Sequence, residues 1–313
     1  MRPVVTIPSV RPLVVAAAAA CLLLVGGCGG SGTPGDAILF VSTRDGDYAV
    51  YGMNADGSDQ GRLSDESGDT STPAGTTFQI DPDVSPDGSR IAFASARSGS
   101  LDVYVMDIDG SDTRRLTTTR GNQSQPTWSP DGSRIAFQSD ADGDHIYVMG
   151  SDGKGARRVT NDPAPEIEPA WSPDGRWIAY SRRLPGTEIR ELWLVHPDGS
   201  ARHRLTGRAQ AAYGPAWSPD GRTIAFASKQ ETGRFEIYAI GADGRGLRRV
   251  TFSNDDAFEP AWSPDGKTLA FSRDGSIVTI DATGADPQVL TGSETNDSSP
   301  DWNPRPTDGE EES

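Results

Sequence analysis

Three series of short apolar runs alternate along this chain with breaks rich in Gly, Pro, Asp and Ser, which is the pattern of strands and tight turns. The first series reads Ile38-Leu39-Phe40-Val41-Ser42, Ile91-Ala92-Phe93, Ile135-Ala136-Phe137, Ile178-Ala179-Tyr180, Ile224-Ala225-Phe226 and Leu269-Ala270-Phe271. A second contains Val50-Tyr51, Val103-Tyr104-Val105-Met106, Ile146-Tyr147-Val148-Met149, Leu192-Trp193-Leu194, Ile237-Tyr238-Ala239-Ile240 and Ile277-Val278. The third runs Arg62-Leu63, Arg115-Leu116-Thr117, Arg158-Val159-Thr160, Arg204-Leu205-Thr206, Arg249-Val250-Thr251 and Val289-Leu290-Thr291. A large side chain on one face of each strand and Ala on the other suit a sheet sandwiched between neighbouring sheets, buried on both sides. Each series has six members, so six copies of one sheet are expected.

A fourth element opens each copy. It is clearest at Pro169-Ala170-Trp171-Ser172-Pro173-Asp174-Gly175 and returns around Trp128, Trp217 and Trp262, with Val84 in place of Trp once and a truncated copy at Trp302. In Ser-Pro-Asp-Gly the Pro presets φ and the Gly takes a positive φ, and the Asp-Gly pairs from Asp56-Gly57 to Asp243-Gly244 turn the later hairpins. A period of 40–46 residues built this way predicts an all-β chain: a six-bladed β-propeller of four-stranded blades. The opening blade has no Trp strand of its own, and Pro300-Asp301-Trp302 has no strand after it. The carboxyl-terminal strand is therefore expected to lie beside Ile38–Ser42 and close the ring.

The repeated Trp-Ser-Pro-Asp-Gly, Ile-Ala-Phe, Ile-Tyr-Val-Met and Arg-Arg-Leu-Thr strings resemble the WD40-like repeat of the TolB-type propeller family, from Ala37 to Trp302. The resemblance implies the fold and an envelope setting. TolB itself carries an additional amino-terminal domain, and prolyl-oligopeptidase relatives carry an α/β-hydrolase domain. Neither pattern is found in this sequence, so TolB's own partners do not carry over.

The amino terminus changes the picture of where such a propeller works. Arg2 and Arg11 precede an apolar run from Pro12 to Val25, the n- and h-regions of a secretory signal and short for a membrane span. Val25-Gly26-Gly27-Cys28 is similar to the lipobox in which the cysteine is acylated. The expected organisation is a lipoprotein signal over 1–27, lipidated Cys28 with a flexible linker over 28–36, the propeller over 37–304, and a disordered acidic tail over 305–313. Location would be outside the cytoplasmic membrane, lipid-anchored at its outer side or in the periplasm. Cys21 leaves with the signal and Cys28 carries lipid, so no disulfide, thiol nucleophile or Cys-based metal site is expected.

Charge narrows the partners. The chain holds 45 acidic against 29 basic residues, a net charge of −16, which argues against nucleic acid. Loss of Arg2 and Arg11 with the signal gives 27 − 45, or −18. The expected partner is an envelope protein or peptide, taken by a monomeric propeller whose second contact is with the membrane through its lipid.

Spacing indicates the face. From Trp to the next aromatic is always nine residues, and from the second series to the third always twelve, so the turns on one face are uniform. On the other face the connection from first to second series varies from seven residues (Phe271 to Val278) to thirteen (Tyr180 to Trp193). Leu63 to Val84 is twenty-one where the other blade junctions are twelve, an insertion within Ser64–Ile80 that contains Asp65, Glu66 and Asp69. Variable loops gather where partners dock. Asp81, Glu168 and Glu259 stand just before the Pro of three blades, with Gln125, Gly214 and Ser299 in the same place elsewhere. Asp83, Glu166, Asp255 and Asp256 are expected nearby, and Asp81, Asp83, Gln125, Glu166, Glu168, Asp255, Asp256 and Glu259 together form the candidate partner-binding set.

Catalytic patterns are sparse. His145, His196 and His203 lack metal-ligand spacing, and no Gly-x-Ser-x-Gly elbow is present. Asp107-Ile108-Asp109-Gly110 hints at a calcium loop, but it recurs in register as a hairpin turn. The repeated Trp residues are expected in the packing between blades, with Trp193 less clearly so. No catalytic residue, protein metal site or cofactor is therefore assigned. A divalent cation at the channel mouth, serving a metal-dependent hydrolase or lyase that works with carboxylates alone, stands as the alternative.

Overall fold

The computed structural model describes residues 38–64, 78–207, 210–231 and 233–304. Expectations for the leader, Cys28, the linker, most of the insertion (65–77) and the tail lie outside the described residues. Among the described residues no helix is long and apolar enough to cross a membrane.

Six four-stranded antiparallel sheets are arranged as blades. The first blade contains β1 (Ile38–Ser42), β2 (Ala49–Met53) and β3 (Gly61–Arg62). The second has β4 (Gln79–Val84), β5 (Arg90–Ser95), β6 (Asp102–Asp107) and β7 (Arg114–Arg115). The third has β8 (Gln123–Trp128), β9 (Arg134–Ser139), β10 (His145–Gly150) and β11 (Arg157–Arg158). The fourth has β12 (Glu166–Trp171), β13 (Ile178–Arg183), β14 (Arg190–Val195) and β15 (His203–Arg204). The fifth has β16 (Ala212–Trp217), β17 (Thr223–Ser228), β18 (Glu236–Gly241) and β19 (Arg248–Arg249). The sixth has β20 (Ala257–Trp262), β21 (Thr268–Arg273), β22 (Ser276–Asp281) and β23 (Gln288–Val289). Last comes β24 (Ser298–Trp302), which pairs with β1 and completes the first blade, as the truncated final repeat predicts. The inner strands meet in a closed circuit: β4, β8, β12, β16, β20, β24 and β4 again.

Packing follows from the alternation in the first series. Ile91 and Phe93 enter one interblade cluster with Leu39 and Tyr104, while Ala92 enters the next with Trp128, Ile135 and Phe137. The small residue leaves room for the neighbouring blade's aromatic, which is why both faces of each sheet are buried. Trp128, Trp217 and Trp262 donate their indole N–H to the backbone carbonyls of Asp83, Ala170 and Ala216 in the preceding blade, each at 3.2 Å. At these three positions the repeat Trp thus fastens one blade to the next.

The Ser-Pro-Asp-Gly turn is built by its own side chains. Ser129 Oγ donates to Asp131 Oδ1 at 2.6 Å and accepts the N–H of Arg134 at 2.9 Å, where the next strand starts. The same pair of bonds recurs from Ser85, Ser172, Ser218 and Ser263. Hydrogen bonds to the charged form hold the Asp87 and Asp131 carboxyls down at about 2.

The outer strands differ from expectation. They are only two residues long and sit one step earlier, on Arg114–Arg115 rather than Arg115-Leu116-Thr117. Beyond Arg115 a side chain takes over from the ladder: Thr117 Oγ1 accepts the N–H of Val103 at 2.9 Å. Ser64, Thr160, Thr206, Thr251 and Thr291 do the same in the other blades.

Candidate functional site

The inner strands line a central cavity of about 360 Å³. Its geometry is set by a bulge that all the inner strands share. In β4 the register with β5 breaks between Ile80 and Asp83, and β8, β12, β16 and β20 break at the same place against their partners. The Pro does not open the strand, as the sequence suggested, but sits inside it at the bulge. Pro has no N–H to donate, so a strand tolerates it where the ladder is already interrupted. The residue before it adopts a left-handed backbone: φ is 53° at Asp81, 52° at Gln125, 58° at Glu168, 57° at Gly214, 54° at Glu259 and 50° at Ser299. For a residue with a Cβ that conformation costs roughly 1–2 kcal/mol.

These six residues form the upper ring of the cavity. Four of them, Asp81, Gln125, Glu168 and Glu259, reach sideways and accept the N–H of the matching residue in the next blade. Gln125 N donates to Asp81 Oδ2 at 3.3 Å, Glu168 N to Gln125 Oε1 at 2.9 Å, Gly214 N to Glu168 Oε2 at 2.8 Å, and Ser299 N to Glu259 Oε2 at 2.8 Å. The acids and Gln125 of the ring therefore also tie the blades together, and each carboxylate arrives with one oxygen already engaged. Arg190 pairs with Glu168 at 2.9 Å, and Ser272 Oγ donates to Glu259 at 2.9 Å. Burial pushes the Asp81 carboxyl up to about 7, with repulsion from Glu259 and then Glu168 adding to it.

Two residues deeper lies a lower ring of Asp83, Thr127, Ala170, Ala216, Ala261 and Asp301. It is lopsided, with two carboxylates on adjacent strands facing a wall of three alanines. Asp83 Oδ2 accepts the N–H of Trp128 at 2.7 Å, and Asp301 Oδ2 accepts that of Val84 at 2.8 Å. Burial lifts both carboxyls, Asp301 to about 7 and Asp83 well above its ordinary value, where the nearby Asp301 adds to the effect. Asp301 did not stand out in the sequence. Its signal was the register of the final repeat, which aligns it with Asp83 of the second blade.

The remaining predicted residues go elsewhere. Glu166 begins β12 fully buried, 2.6 Å from Arg202 and 3.1 Å from His145 Nδ1, and does not line the cavity. Asp255 and Asp256 are exposed in the loop before β20, where Asp256 Oδ1 accepts the N–H of Phe235 at 2.7 Å. Proximity in sequence misled here, because a strand start sits at the edge of a blade and not at its channel side. The structure also brings out buried acids at the start of the third strand. Asp102 pairs with Arg115 at 2.7 Å, Glu191 with Arg204 at 3.2 Å and Glu236 with Arg249 at 2.6 Å. An acid thirteen residues before the second Arg was the signal for this recurring pair. His145 holds that position in the third blade, and Glu166 serves as its partner from the fourth. His196 and His203 both pack on Trp177 on the uniform face, with ring centroids at 4.1 and 4.9 Å. Among the described residues no three His, Cys, Asp or Glu side chains converge to hold a metal ion.

The family description "TolB beta propeller domain" matches residues 74–189 and 167–307. This chain belongs to the TolB β-propeller family. Among solved structures, TolB from Acinetobacter baumannii superposes with a TM-score of 0.74 at 19% identity, over 86% of this chain and 67% of that one. A putative TolB from Agrobacterium tumefaciens gives 0.66 at 21%, over 85% and 97% of the two chains. A chain of a nidogen–laminin complex gives 0.70 at only 10% identity, over 86% and 98%. At such identities the likeness is one of fold.

Proposed function

We propose that this TolB-family propeller is a binding module of the cell envelope, tethered through lipid on Cys28, that takes a protein or peptide at the mouth of its central cavity. The observation that carries the reading is the cavity, whose mouth on the variable face is ringed by Asp81, Glu168 and Glu259. A pre-formed concave site with a few converging polar groups is what a binding module needs. The family assignment supports the envelope setting, and the leader supports export. Affinity capture from solubilised envelope tests it, comparing the wild-type chain with an Asp81→Asn, Glu168→Gln, Glu259→Gln variant. A partner retained by the first and lost by the second supports the site; equal capture by both removes it.

A second reading draws on the Asp83–Asp301 pair, two carboxylates held side by side with raised proton affinity. Such a pair is suited to acid–base work in a metal-dependent hydrolase or lyase. Under this reading a divalent cation raises the melting temperature, and Asp83→Asn with Asp301→Asn abolishes the rise. No metal-dependent shift in the wild-type chain rules it out.

A further inference from the structure

The upper ring is incomplete at one position. Gly214 stands where the other blades carry Asp, Gln, Glu or Ser, with the same left-handed φ, and a Cβ built on it would meet nothing within 4 Å. The missing side chain leaves a notch in the wall between Glu168 and Glu259. Below it lie Ala216 and Ala261, which add no bulk to the floor. The blade junction there also lacks the side-chain bond that four other junctions have, since Gly214 offers Glu259 N–H no acceptor.

The rim beside this notch is aromatic. Tyr213 immediately precedes Gly214 and Phe258 immediately precedes Glu259. Phe235 bridges them, 5.1 Å from Tyr213 and 4.4 Å from Phe258 between ring centroids. All three rings are only half-buried. The corresponding positions in the other blades are Ile80, Ser124, Ile167 and Ser298, none of them aromatic. The aromatic part of the rim is therefore confined to the fifth and sixth blades, and the open notch lies beside it.

We propose that the notch at Gly214 receives a lysine or arginine side chain from an extended segment of a partner protein, whose neighbouring apolar residue rests on the Tyr213–Phe235–Phe258 shelf. The inference rests on the reading of the variable face as a protein-binding surface and names the chemistry of its partner. Charge complementarity selects the basic residue. Among the described residues no Lys or Arg lines the cavity, and Arg190 is engaged with Glu168, which leaves Glu259, Asp81 and the deeper Asp83 and Asp301 without a cation. A cation entering there would meet carboxylates in a confined, weakly screened space. An acidic segment would add repulsion to these carboxyls, and a purely apolar one would cover the Glu259 carboxylate with no cation beside it, which is costly. Two shelf rings already carry a cation of this chain, Lys229 Nζ 4.2 Å from the Phe235 centroid and the Arg190 guanidinium 4.9 Å from that of Tyr213, so the partner's base goes to the notch and its apolar residue to the remaining ring surface.

The test is selection of a displayed random heptapeptide library on the full chain, followed by affinity measurement of synthetic copies. The enriched peptides are expected to carry Lys or Arg within two positions of an aromatic or aliphatic residue, and to lose at least about tenfold in affinity when that base becomes Gln. Gly214→Gln fills the notch and takes on the modest strain of the left-handed φ that five other ring positions already carry with side chains. It is expected to weaken these peptides at least about tenfold, with a modestly lowered melting temperature and a single cooperative unfolding transition that shows the variant folded at the assay temperature. Basic peptides that bind wild type and Gly214→Gln alike overturn the notch. Apolar or acidic peptides that lose affinity in Gly214→Gln overturn the basic chemistry and leave the binding face standing. If no peptide is selected, or none responds to the Asp81, Glu168 and Glu259 triple substitution, both the notch and the face are wrong.

Discussion

Thr117 shows what a single repeated residue contributes. Its hydroxyl accepts the N–H of Val103 and donates to buried Asp102 at 3.1 Å, so one side chain satisfies two groups that have no water to turn to. Thr117→Val keeps the shape and orphans both. The expected loss is about 1–3 kcal/mol of unfolding free energy by urea denaturation, the cost of leaving buried polar groups unpaired. Asp102→Asn is expected to lower stability too, because Arg115 keeps its charge and loses its ion-pair partner. His145 was legible only as a histidine opening a strand; its partner Glu166 lies twenty-one residues away on another blade. Nothing local in the sequence links them, since the pairing exists only once the third and fourth blades pack.

At the scale of elements, the inner strands combine the lining of the cavity with a fastening between blades. The bulge at each Pro turns a residue into the left-handed region and points its side chain at the neighbouring blade. Asp301 carries the closing junction, because its carboxylate holds the Val84 N–H while Asp83 sits beside it. Both carboxyls are raised in the folded state, so the fold binds their protons more tightly than the unfolded chain does. For Asp301 that contribution is fully present below the unfolded value near 3.8 and is lost as pH rises through about 7. Asp301→Asn keeps an acceptor for Val84 and removes one charge. Relative to wild type it is expected to be more stable at pH 8 than at pH 5, by a difference on the order of 1–2 kcal/mol, measured by urea unfolding at the two pH values. A constant difference across pH excludes the charge pair as the cause. The turn acids act in the opposite sense. Asp87 and Asp131 stabilise above the ordinary carboxylate range and lose that contribution as pH falls toward about 2.

For the whole molecule, closure is the decisive contact. β24 is the last strand of the chain, yet it belongs to the first blade and touches β4 and β20 of both neighbouring blades. Deleting residues 292–313 removes it, exposes the edge of β1 and opens the ring. Such a truncation is expected to abolish the single cooperative unfolding transition seen by circular dichroism, whereas deleting 305–313 alone leaves it unchanged. The same closure creates the cavity: Asp83 and Asp301 are 218 positions apart in sequence and adjacent only in the ring.

Local periodicity determined the blade count, the turns, the sandwiched sheets and the closing strand, because each repeat is one unit whose apolar faces only a copy of itself can cover. Asp81, Gln125, Glu168 and Glu259 were legible as a set because the motif places them at one position of every repeat. Only the tertiary structure separated Glu166, Asp255 and Asp256 from that set and added Asp301. It also showed that the ring residues brace the blades and that Gly214 leaves one place unfilled. The physical reason is the same throughout. Strand and turn preferences act over a few residues, whereas the cavity is made by contacts between blades, whose partners lie tens to hundreds of residues apart and whose burial decides which charges stand alone.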